Sequence, residues 1–93
     1  MCTSIVEVVG IAGSGKGEHG WFELDRAVVS YDHPHHALLE EAVTIDLVNS
    51  ALGPAARVAV ELTLGSARDL CAALAKAIAA AEIEERAHEA RDR

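Results

Sequence analysis

Aromatic residues are nearly missing from this chain of 93 residues: Trp21, Phe22 and Tyr31 are all there are. Any core must therefore be filled by alanine, valine, leucine and isoleucine, which pack with less area per residue than aromatic rings. Cationic side chains are also scarce, eight Lys and Arg against fifteen Asp and Glu, for a net charge of −7. Lys16 and Lys76 stand far apart and the arginines form no patch, so a phosphate backbone has no electrostatic footprint here and nucleic acid is excluded as a partner. No apolar run approaches the ~20 residues of a membrane span. The start, Met1-Cys2-Thr3-Ser4-Ile5, lacks the basic and long apolar regions of an export signal. Two cysteines are too few for a disulfide framework, and the expected location is the cytoplasm.

What is present is a pattern of short strands followed by one helix. Residues 3–11 are rich in β-branched side chains and read as a strand apolar on both faces. Residues 21–31 read as a second strand whose apolar phase slips: Phe22 and Leu24 share one parity, Ala27, Val29 and Tyr31 the other. A bulge near Asp25-Arg26 reconciles them, because one extra residue exchanges the faces. Alternation over 42–49 and 56–64 marks two further strands, each with one buried face. Pro34 can open a helical turn in the intervening connection. Gly65 closes the last strand, and Ser66 with Asp69 makes a helix start for residues 67–88. Leu70, Leu74, Ala77, Ile78 and Ala81 form that helix's apolar stripe, with Cys71 at its margin as a small core residue. The expectation is a single α+β domain over 1–93, a four-stranded antiparallel meander with the long C-terminal helix packed on one face.

Gly10-Ile11-Ala12-Gly13-Ser14-Gly15-Lys16 matches the spacing of a phosphate-binding loop. That loop needs a magnesium-binding hydroxyl after the lysine and a helix whose N-terminus faces the anion. Gly17 stands where the hydroxyl belongs and a strand follows, so the segment reads as a hairpin loop rather than a nucleotide site.

The densest group of metal-capable side chains is Asp32-His33-Pro34-His35-His36, directly after the second strand. Imidazole and carboxylate are standard transition-metal ligands, and the strand would hold them at the rim of a rigid sheet. Adjacent His35 and His36 point in different directions, so His33 and His36, three apart, are the better pair. If the first two strands pair around the glycine loop with Ile11 near Trp21, the same register brings Cys2 near Ser30 to Asp32. The candidate ligand set is then His33, His36, Cys2 and Asp32, for zinc, or for copper if the thiolate binds. Solvated loop histidines are the plainer reading of the same residues. Glu40 and Glu41 read as exposed, and Asp46 as a solvated side chain on a polar strand face, buried only if a partner covers it. Cys2 as an N-terminal nucleophile would need a far larger sheet sandwich than this chain can build.

Met1-Cys2-Thr3, the Gly-Ser-Gly-Lys-Gly loop with Gly20-Trp21-Phe22, Tyr31-Asp32-His33-Pro34 with His36, and Leu52-Gly53-Pro54 resemble a short family of actinobacterial-type proteins of unknown function. The resemblance implies no activity, substrate or cofactor, but favours His33, His36 and Cys2 over His35 as members of any site. Two functions fit the sequence: a protein binding a metal or small ligand at this rim, or a homo-oligomeric interaction protein using neither metal nor catalysis. The apolar residues on both faces of the first strand and away from the helix stripe point to a homodimer in either case.

Overall fold

The computed structural model describes residues 5–92. Strands β1 (Val6–Gly17), β2 (Gly20–Asp32), β3 (Ala42–Val48) and β4 (Arg57–Leu62) form one open antiparallel sheet in the order β1-β2-β3-β4, followed by helix α1 (Leu64–Arg91). The α+β class and the meander follow from strand alternation and short connections, as the sequence leads one to expect.

The first hairpin is longer than the glycine run suggests. Both strands continue through it, and only Glu18 and His19 form the turn. Gly20, at φ +110°, supplies the conformation that side chains resist, and closes the two-residue turn opposite Gly17. Gly15 is there for space: a Cβ at this position would come within 3.1 Å of Leu24 and 3.2 Å of Val58 side-chain carbons. The hairpin tip thus curls towards β4, and packing accounts for a glycine that the phosphate-loop spacing would assign to an anion.

The phase slip in β2 is real. Phe22 and Leu24 are half-buried, Asp25 and Arg26 are both exposed, and Ala27 is buried. The register shifts at this point, but the extra residue belongs to β1, where Ile11 and Ala12 stand opposite Asp25. The register therefore differs from the expected one: Lys16, not Ile11, pairs with Trp21.

Pairing gives the sheet two unlike faces. Val29, Ile45 and Val60 lie side by side on one, with Tyr31, Val43 and Leu62 beyond them. The other carries Ser30, Thr44 and Glu61 in one row and Asp46 beside Arg57, whose Nε lies 2.7 Å from Asp46 Oδ1. Ser30 and Thr44 hydroxyls are hydrogen-bonded across this face.

The helix begins earlier than Ser66 would suggest. Thr63 is its N-cap, with its hydroxyl accepting the Ser66 amide at 3.0 Å and its carbonyl accepting the Ala67 amide at 2.9 Å. Gly65 falls inside the first turn, where it interrupts nothing. At the other end the helix runs to Arg91, capped by Asp92, so the charged tail is helical. The helix rests chiefly against β3 and β4, and apart from half-buried Ala67 all its residues are exposed, Cys71 included. The stripe that reads as packed on a sheet face is thus left exposed among the described residues. A single residue joins β4 to α1, so the helix starts directly off the end of the last strand.

Candidate functional site

The segment between β2 and β3, residues 33–41, forms the rim at one end of the sheet. No helical turn starts at Pro34; residues 35–38 form bends instead. The reason lies in where their amides go. The Glu61 carboxylate on β4 accepts the His35 amide at 2.5 Å (Oε2) and the His36 and Ala37 amides at 3.0 and 2.9 Å (Oε1). Three donors on one carboxylate from another strand hold the segment in this bent path. The amides of Ala37, His35 and His36 hold the Glu61 carboxyl below the ordinary carboxylate range.

Asp32 is the last residue of β2 and pairs with Ala42, the first of β3. Continuing that antiparallel register by one step sets His33 against Glu41. His33 Nδ1 is 3.1 Å from the Glu40 carbonyl oxygen and 3.4 Å from Glu41 Oε1, while the His33 amide donates to Asp32 Oδ1 at 2.7 Å. The Glu40 carbonyl, then the charges of Glu41, Asp32 and Glu40, raise the His33 pKa above its ordinary value. Against the Glu40 carbonyl oxygen, which can only accept, Nδ1 carries a proton, and this contact orients the ring.

Asp32, His33 and Glu41 each offer a ligand atom, and these atoms lie within 4.8 Å of one another. Asp32 and Glu41 are half-buried and His33 is exposed, so the group is open on one side. Among the described residues, Glu41 Oε2 is a buried side-chain oxygen with no hydrogen-bond partner. A carboxylate oxygen withdrawn from water without a donor is costly unless a cation or proton compensates it.

The expected ligand set is thus rearranged. The structure brings Asp32 and His33 together and adds Glu41. His36 lines a neighbouring concavity with His35, Ala37, Arg57, Ala59 and Glu61. Cys2 lies outside the described residues. His19 is in the hairpin turn and His88 near the end of the helix, 3.5 Å from Asp92, both away from the rim. Asp46 is neither solvated alone nor buried: it pairs with Arg57. Glu41 and Glu61 are what sequence reasoning missed. For Glu41 a signal existed, since any hairpin pairing Asp32 with Ala42 places 33 opposite 41. For Glu61 none did, because its partners are amides of a segment without regular structure.

The chain belongs to a family of unknown function (DUF6295), whose model matches residues 1–87. No match to a curated protein or to a solved structure was found. No described helix is long and apolar enough to cross a membrane.

Proposed function

We propose that this protein binds a transition-metal ion at the rim through Asp32, His33 and Glu41. The observation that carries the reading is the buried, unpartnered Glu41 Oε2 beside two other ligand-capable groups. Protonated His33 would neutralise Oε1 but leave Oε2 without a donor, whereas an ion between the three side chains would satisfy the carboxylate. Ligand atoms about 2.1 Å from one tetrahedral ion lie about 3.4 Å apart, so atoms now within 4.8 Å of one another need to close by up to about 1.4 Å to bind. One imidazole and two carboxylates suit zinc; copper would draw on a thiolate, for which Cys2 is the candidate. Three protein ligands would leave a position open for water or a small ligand. Metal analysis of untagged protein from metal-replete cells should find about one equivalent per chain, lost in His33→Ala and in Glu41→Gln but kept in His19→Ala and His88→Ala. Less than about a tenth of an equivalent in the native chain would overturn the proposal.

A second reading, a homo-oligomeric interaction protein, is favoured by a separate observation. Among the described residues only Ala27 and Ala42 are buried hydrophobics, while Leu70, Leu74 and Ile78 are at least half exposed. The two readings concern different parts of the molecule, and both can hold.

A further inference from the structure

We infer that the C-terminal helix of each chain docks on the apolar sheet face of a second copy, so that two copies exchange helices. This rests on the homo-oligomer reading and specifies its geometry.

The first ground is area. A 9.8 kDa chain folded as an independent monomer exposes about 5,200 Å2. This chain exposes 7226 Å2, about 2,000 Å2 more than that scaling gives. Its radius of gyration is 16.3 Å, against the roughly 12 Å of a compact domain of this length. An excess of that size per chain falls within what permanent dimers bury, about 1,000–2,500 Å2 per partner.

The second ground is connectivity. Thr63 alone separates Leu62 of β4 from Leu64 of α1. Leu64 sits in an apolar groove of about 400 Å3 with Ile5, Val29, Tyr31 and Val43, and from there the helix leaves its own sheet. Past Leu64 the helix runs away from the sheet, and Val29, Ile45 and Val60 on that face are only half-buried. A second copy can supply the cover that the described residues do not.

The third ground is fit. Leu70, Leu74 and Ile78 are spaced by four and rise about 12 Å along the helix. The three strands β2, β3 and β4 span about 10 Å at ordinary spacing. Val29, Ile45 and Val60 form an apolar row across β2, β3 and β4 on the open face, while the opposite face is occupied by Glu61, Asp46 and Arg57. Each copy therefore owns one apolar donor and one apolar acceptor, which a two-fold axis joins into a closed pair with neither left over. A foreign helix would cover the sheet but leave this chain's own helix bare, so a second copy is the occupant that accounts for both surfaces.

The test uses the full chain. Light scattering at micromolar concentration should give twice the chain mass. In a one-to-one mixture of 13C-labelled and unlabelled chains, isotope-filtered NOE spectra should connect methyls of Leu70, Leu74 and Ile78 in one copy with those of Ile45 and Val60 in the other. Leu74→Glu combined with Ile78→Glu should weaken association at least a hundredfold. A single-chain mass would overturn both the exchange and the homo-oligomer reading beneath it. Twice the mass with intermolecular NOEs only between helices, or only between β1 edges at Val6 and Val8, would overturn the exchange and leave the oligomer standing. The NOE experiment on the native chain decides even if the double variant does not fold.

Discussion

The rim and the helix are opposite kinds of structure. The rim is polar and short of regular hydrogen bonding, yet Glu61 alone fixes three of its amides and His33 is held by the Glu40 carbonyl and the Asp32 and Glu41 carboxylates. The helix is the most regular element in the molecule, satisfied in its backbone and capped at both ends, yet from Arg68 onward every described residue is exposed. Hydrogen bonds are local and can be closed by a few residues of one chain; apolar area can be hidden only by something of comparable size. On the two proposals, an ion would complete the rim and a second copy would cover the helix.

Charging the helix stripe should break this contrast most strongly. Burying a leucine or isoleucine is worth about 1.5–3 kcal/mol, and two-fold symmetry counts each loss twice. Leu74→Glu with Ile78→Glu should reduce the mass seen by light scattering to that of one chain and lower the melting temperature, while Ala-to-Glu changes in the rim loop at Ala37 should leave the mass unchanged. Next in size, Glu41→Gln keeps the side chain's shape and removes its charge, and should weaken metal binding about tenfold or more, read by competition with a chromogenic chelator.

How much of this is legible beforehand depends on the range of the interaction. Alternation in 42–48 and 57–62 reports directly on neighbours two residues away, and those strands form where the pattern puts them. The slip between Leu24 and Ala27 is legible as a slip, but which strand holds the extra residue depends on both strands at once, and Ile11-Ala12 carry no mark of it. The apolar stripe of α1 shows that the helix needs cover and says nothing of whose sheet supplies it. At the rim, Asp32 and His33 are visible as a cluster because they adjoin in sequence. Glu41 enters through strand register, and Glu61 through a contact spanning 24 to 26 residues.

Smaller effects sharpen the same contrast. Thr63→Ala removes the cap hydroxyl that accepts the Ser66 amide and should cost about 1 kcal/mol, seen as fraying of the first helical turn in amide exchange. The smallest expected effect is one of pH. The Glu61 carboxyl is held below the ordinary range by its amide donors, so the order it gives the rim is full above the unfolded value near 4.5 and is lost as pH falls through the lower folded value. Protection of the 35–37 amides, normalised to intrinsic exchange, should therefore be constant at neutral pH and drop in acid. Glu61→Gln should lower that protection at neutral pH and flatten its dependence on pH.

The metal proposal is tested most directly by titrating zinc into chelator-treated native protein in a calorimeter, with Glu41→Gln alongside. The expected result is saturation near one equivalent per chain in the native protein and an affinity at least tenfold weaker in the variant. No saturable heat, or identical isotherms for the two proteins, would contradict it.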